Sequence, residues 1–179
     1  DFVQTGRFMS FPNQTTSFGD YTDYNIQFAI SRGNARQLDS LALVTLYNAT
    51  EGANWANKWD LSAPMETWNG VEVEKRRVVK LELYQNNLVG TLPAGLDALS
   101  ELRIMNLRSN QISGTIPSDF GNLLNLQVLN LKRNLLEGTI PSTLGNLDQL
   151  TNLTLSENNF EDLPSFLGTS LGNLQLLAV

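Results

Sequence analysis

The chain has 179 residues, 12 Lys+Arg against 18 Asp+Glu, a formal net charge of −6, and neither Cys nor His. Those absences exclude a disulfide framework, a thiol nucleophile, a Ser-His-Asp triad and the commonest metal ligand. The acidic balance argues against a broad nucleic-acid footprint, and no apolar run approaches the ~18 residues of a membrane span.

Residues 1–34 form the first unit. Leu is absent before Leu38, whereas Phe2, Phe8, Phe11, Phe18, Phe28, Tyr21 and Tyr24 crowd this stretch. Tyr24, Ile26, Phe28 and Ile30 alternate like one face of a short strand. So much aromatic content is unlike a disordered tail. The expectation is an ordered extension that packs on the rest of the chain or on a neighbouring one. The chain opens on Asp1 with no visible signal peptide, as expected of a processed or excised piece.

Residues 35–77 read as a cap. Leu38, Leu41, Ala42, Thr45 and Ala49 recur at helical spacing, with Leu46 beside them. Asn34 is the expected N-cap and Gly52 the expected stop. Trp55, Trp59 and Trp68 follow. They would either offer a sugar platform or cover the open end of a stack. The second role fits better, because a repeat array needs a terminal unit with a polar outer face.

From residue 78 to 179 the sequence repeats. The units 78–101, 102–125 and 126–149 are equal in length and align without gaps. A fourth and longer unit is read over 150–176, before a fifth begins. The shared pattern is L-x-x-L-x-L-x-x-N-x-L-x-G-x-I-P. Its Asn column is Asn86, Asn110, Asn134 and Asn158, and its Pro column Pro93, Pro117, Pro141 and Pro164. The two later leucines of L-x-x-L-x-L should point inward from a short strand, with the residue between them outward. One unit cannot bury that face alone, so units must stack. The Asn column should bond backbone groups of adjacent turns. The shortened Glu161-Asp-Leu-Pro164 and the following Ser165–Ser170 lead us to expect a bulged loop.

G-x-[IL]-P within this period resembles the plant-type leucine-rich repeats. The stretch Leu38–Tyr47, Thr50-Glu-Gly-Ala-Asn-Trp55, Trp59 and Trp68-Asn-Gly-Val71 is similar to their N-terminal module. The resemblance implies an α/β repeat solenoid, a right-handed superhelix with a parallel inner sheet and a helical cap. It further implies an extracellular or cell-surface position, and recognition or adhesion without catalysis. Plant members usually carry a Cys pair around W-x-G-V. Here Thr67 precedes Trp68, and Val73 stands at the second Cys position.

In such a fold the inner sheet meets the ligand, a protein or a carbohydrate. Its expected outward residues include Lys80, Glu82, Tyr84, Asn106, Arg108, Asn130, Lys132, Arg133, Thr154 and Ser156. Arg108, Lys132 and Arg133 would gather into a basic patch beside Tyr84 on an acidic protein. That patch suits an anionic or carbohydrate partner. An ordinary solvated face balanced by Glu82 and Glu157 is the alternative. Four strands at ~4.8 Å make a face of only ~300 Å², small beside the roughly 800 Å² of a standard interface.

Other readings are narrower. Residues 1–34 and an uncapped C-terminal end would suit self-assembly, making the chain a subunit of an extracellular assembly. Thr91, Thr115 and Thr139 form one threonine column, which gives ice binding as a remote alternative. Asn13, Asn48 and Asn152 begin N-x-[ST] sequons. No phosphate loop, metal-ligand spacing or nucleophile motif occurs. The sequence therefore predicts no enzyme, no cofactor and no bound metal.

Overall fold

The computed structural model describes residues 35–162, 164–168 and 171–178. The expected strand at Tyr24–Ile30, the Asn34 cap and the Asn13 sequon lie outside them.

A single helix, α1 (Ala35–Ala49), leads the described chain. Two sheets follow. The inner sheet is six-stranded and contains β1 (Val71–Glu74), β2 (Arg77–Glu82), β4 (Ile104–Asn106), β6 (Val128–Asn130), β8 (Asn152–Thr154) and β10 (Leu176–Ala178) in that order. A second sheet carries β3 (Val89–Thr91), β5 (Gln111–Gly114), β7 (Leu135–Gly138) and β9 (Asn159–Phe160). Short 3-10 turns such as Ser118–Asn122 and Ser142–Asn146 close each coil.

The leucine lattice explains the stacking. Leu81, Met105, Leu129 and Leu153 are all fully buried, and so are Leu107 and Leu131. From β2 to β8 the inner sheet advances one whole repeat per strand, with Leu81 against Met105 and Leu129 against Leu153. Each coil thus hands its apolar face to the next. Proline starts the turns: Pro117 and Pro141 sit at φ −61 just before them, and their carbonyls accept from Phe120 and Leu144.

Four expectations need correction. First, the buried face of α1 is Asp39, Ala42, Leu43, Leu46 and Tyr47, one residue round from the predicted stripe. Asp39 belongs to the core because Arg77 neutralises it there. Second, Gly52 does not stop the helix; Glu51 takes the left-handed position at φ 54. Gly52 is required for another reason. A Cβ there would lie 2.2 Å from the Tyr47 ring. Third, the inner sheet does not begin at the first repeat. β1 pairs antiparallel with β2, so the cap contributes a strand. Fourth, β10 registers Leu176 against Asn152. The fourth unit therefore has the same length as the others and runs over 150–173 rather than 150–176. Ser165–Gly168 takes a 3-10 turn like those of the earlier coils, so the predicted bulge adds no net length.

The aromatics of the cap are sealed inside. Trp55, Trp59, Trp68 and Tyr47 are each 9% exposed or less. Trp59 stacks on Trp68 at 4.9 Å and meets Trp55 edge-on at the same distance. Each indole N–H is satisfied: Trp55 donates to Thr50 O, Trp59 to Asn69 O, and Trp68 to Asp60 O. Buried rings cannot offer a sugar platform.

The Asn column joins coil to coil. Asn110 Oδ1 accepts from the backbone N–H groups of Asn86 and Leu88, and its Nδ2 donates to Leu83 O and Leu107 O. Asn134 and Asn158 repeat the pattern one coil on. Asn86 differs because the cap precedes it. Its Oδ1 accepts from Asn57 N at 2.6 Å, and its Nδ2 has no partner among the described residues.

Candidate binding face

The inner sheet presents the residues between the buried leucines. Lys80, Glu82, Asn106, Asn130 and Thr154 are half-buried, and they share rows across the strands: Glu82 against Asn106, Asn106 against Asn130, and Asn130 against Thr154. Six strands at ~4.8 Å widen the face to roughly 480 Å².

Its charges are mostly matched. Lys80 Nζ lies 2.9 Å from Glu82 and 3.8 Å from Glu72. The hydrogen bond to Glu82 holds the Lys80 ammonium above its usual range. Glu157 receives both Lys132, at 2.9 Å, and Arg133. Hydrogen bonds from Arg133 and then Lys132 hold the Glu157 carboxyl below the ordinary range. The predicted patch of three cations is thus reduced. Arg108 alone keeps an exposed guanidinium with neither ion pair nor hydrogen bond among the described residues. Tyr84, 53% exposed, stands one coil away in the equivalent position, where Gln85 N bonds Arg108 O.

Two polar positions are less available than the pattern suggests. Asn106 Oδ1 accepts from Arg108 N at 3.3 Å, and Asn130 Oδ1 from Lys132 N at 3.1 Å. Both asparagines therefore shape the strand ends as well as lining the face. The next position in each coil leaves the strand altogether. Gln85, Ser109, Arg133 and Glu157 have φ between 52 and 60. Ser109 Oγ is buried rather than outward. Ser156 follows Thr154 on the last full coil and is half-buried.

Of the sequons, Asn48 is exposed at the end of α1 and Asn152 lies within β8 on the candidate face. The threonine column is broken. The second sheet pairs its strands out of step with the repeat, so Thr91 faces Ser113, and Ser113 faces Leu135. Among the described residues no group of three or more Asp or Glu is placed to hold a metal ion, and Glu157 is turned to its two cations. No described helix is long and apolar enough to cross a membrane.

Residues 100–160 match the family model of the leucine rich repeat. The fold is a leucine-rich-repeat solenoid. Solved structures agree. The BIR2 ectodomain from Arabidopsis thaliana is 29% identical with a TM-score of 0.72, over 79% of this solenoid and 78% of its own chain. PEPR1, solved with AtPEP1, is 30% identical over 78% of this chain with a TM-score of 0.69. The solenoid spans only 21% of that chain. A plant ice-binding protein, 24% identical over 79% of this chain and 55% of its own, with a TM-score of 0.58, shares the fold alone.

Sequence reasoning misses one contributor to this face. Glu72 comes from the cap strand and pairs with Lys80. Glu157, expected from the sequence as a balancing charge, sits at the end of the Lys132 and Arg133 side chains. The available signal is the separation of Arg133 from Glu157, one whole repeat, which places them on adjacent coils.

Proposed function

We propose that this solenoid is a non-catalytic recognition module, working at or outside the cell surface, that receives an acidic segment of a protein partner. The segment lies on the inner sheet around Arg108 and Tyr84. The observation that carries the reading is the unpaired Arg108 guanidinium. Every neighbouring cation on the face is matched by Glu72, Glu82 or Glu157, so an incoming carboxylate finds one unsatisfied donor set. Tyr84 supplies an exposed ring beside it, a residue type favoured at interfaces for its apolar body and polar tip. Likeness to the BIR2 ectodomain and to PEPR1 bound to AtPEP1 supports both the extracellular position and the binding role. The face is below the area of a standard interface, so the partner must also touch its margins or bind weakly.

Arginine side-chain NMR tests this. An oligoglutamate peptide should shift the Arg108 Nε–Hε signal saturably, and an oligolysine peptide should not. Arg108→Glu should abolish the interaction, because it reverses the unpaired cation of the inner face. Unchanged affinity in that variant would refute the placement.

A further inference from the structure

The ion pairs of the inner face divide it into two halves of opposite sign. Toward the cap, Lys80 stands between Glu72 and Glu82, at 3.8 and 2.9 Å, so one cation meets two carboxylates. Two coils on, Lys132 and Arg133 converge on Glu157, while Arg108 between these halves has no acidic partner among the described residues. There three cations meet one carboxylate, a surplus of two positive charges.

Glu157 holds its cations loosely. Its side chain is 47% exposed, and its carboxylate is reached only by the two cations among the described residues. Asp39 shows the contrast, since it is completely buried and the Val78 N–H holds it beside Arg77. Exposed pairs contribute little, because water screens them and long side chains lose freedom in holding them. The two pairs are also unequal. Arg133 gives its Nε to one carboxylate oxygen at 2.5 Å, and Lys132 Nζ meets the other at 2.9 Å. A guanidinium donates along fixed directions, whereas an ammonium is a point charge on a flexible stem that can turn to another acceptor.

Position shows where Lys132 can turn. It occupies the equivalent of Arg108 on the next coil, ~4.8 Å along the sheet, and Ser109 N donates to Lys132 O between the two coils. Arg133 comes one residue later at φ 57, where the chain has left the strand. Like charges side by side on a sheet oppose each other, so a shared anionic ligand relieves Arg108 and Lys132 together.

We propose, resting on the reading of Arg108 as the first site, that Lys132 is a second carboxylate-binding site held in reserve by Glu157. The partner is thereby defined more closely, as an acidic segment with two neighbouring carboxylates. One meets Arg108. The other displaces Glu157 from Lys132, and Glu157 stays with Arg133. Two incoming charges equal the surplus of this half, so every cation ends paired. A segment with one carboxylate leaves half of the surplus unmatched. Glu72 and Glu82 outnumber Lys80 on the cap side, which turns the acidic part of the segment toward Lys132 rather than toward the cap.

The test is titration of the isotope-labelled full chain with three end-blocked peptides that differ only at two adjacent positions, Glu-Glu, Glu-Gln and Lys-Lys. The Arg108 Nε–Hε signal reports the first site, and the Lys132 Cε–Hε signal the second. Glu-Glu should shift both and bind about tenfold more tightly than Glu-Gln, as for one added charge-assisted bond. Lys-Lys should move neither. Lys132→Gln should bring Glu-Glu down to the level of Glu-Gln while the Arg108 shift persists. Glu157→Gln should tighten Glu-Glu by roughly fivefold, the scale of an exposed ion pair that no longer competes, and should change Glu-Gln less. Equal affinity for Glu-Glu and Glu-Gln overturns the second site, as does a Lys132→Gln chain that still prefers Glu-Glu. In either case an Arg108 signal that still shifts leaves the first site standing. An Arg108 signal unmoved by every peptide refutes the first site and the second with it.

Discussion

Arg77 Nε and Nη2 grip the two carboxylate oxygens of Asp39 at 3.0 and 2.9 Å, and Asp39 is completely buried. The same Asp39 oxygen that takes Arg77 Nε accepts from the backbone N–H of Val78. One carboxylate thus ties α1 to the first full strand of the inner sheet. The pairing raises the Arg77 pKa further above its usual range, so the guanidinium keeps its charge. Removing the cation leaves a buried anion uncompensated. Arg77→Met should therefore cost about 3–5 kcal/mol. Asp39→Asn keeps hydrogen-bonding capacity and leaves a partly exposed cation, so it should cost less, about 1–3 kcal/mol. Urea melts of the two variants check the order; an Asp39→Asn that is the worse of the two contradicts it.

The cap aromatics should behave as one unit. Trp59 touches Tyr47, Trp55 and Trp68. Trp59→Ala should cost about 3–5 kcal/mol. Gly52→Ala should cost about 1–3 kcal/mol by overpacking, because its methyl would enter the Tyr47 ring. Near-ultraviolet circular dichroism of the Trp cluster should weaken in both. A Gly52→Ala chain as stable as the parent would show that Tyr47 can move aside.

The Asn column should be graded by burial. Asn110 is 9% exposed and makes bonds to four backbone groups of two coils. Asn110→Leu strands those groups, at ~1–3 kcal/mol for each one that stays dry. Asn158 is half-buried, so water can replace part of what Asn158→Leu removes. Thermal melts should place the first variant well below the second.

The repeats were legible because stacking forces the same residue into the same environment in every coil. Leu81, Leu129 and Leu153 announce the lattice, and Asn110 and Asn134 announce the ladder. What was illegible breaks the local rules. Asp39 looks like a solvent-facing position, and only Arg77, 38 residues on, makes its burial tolerable. The β1–β2 turn lacks Asn or Gly at Lys75 and Arg76, so no turn chemistry marked it. On the candidate face, the pattern sets Arg108 and Lys132 at equivalent positions of adjacent coils, with Arg133 next in sequence. It offered Glu157 as a balancing charge without saying that it would hold two of the three, because that depends on side-chain direction rather than on register.

Acid should destabilise the protein through depressed carboxylates. Glu66 is held down by its hydrogen bonds with Arg36, Glu157 by those from Arg133 and Lys132, and Asp60 by Ser62. A lowered folded pKa contributes stability that is complete above the unfolded value. That contribution is lost as pH falls through the folded one. The loss therefore begins near pH ~4, the ordinary carboxylate range. Lys80, raised by Glu82, acts at the other limit. Its contribution is complete below ~10.4 and is lost as pH rises through the folded value. With no His in the chain, stability should be nearly level from about pH 5 to 8. Glu157→Gln should shallow the acid limb of a Tm-against-pH curve. It should also release Lys132 and Arg133 and tighten oligoglutamate binding on the inner face. An unaltered acid limb would remove Glu157 from this account.

The Lys75–Arg76 turn should be improvable in stability. Both residues occupy left-handed φ with side chains that disfavour it, and Glu74 against Arg77 closes the hairpin around them. Asn-Gly suits that turn without strain. K75N/R76G should therefore gain about 0.5–2 kcal/mol, raising the melting temperature by roughly 2–4 °C per kcal/mol for a domain of this size. Arg76→Gly alone should gain part of this, since Arg76 has the larger φ of the pair. The single variant K75N relieves part of the strain, because Asn tolerates the left-handed region better than Lys. A double variant no more stable than the parent would mean that the turn relaxes in solution.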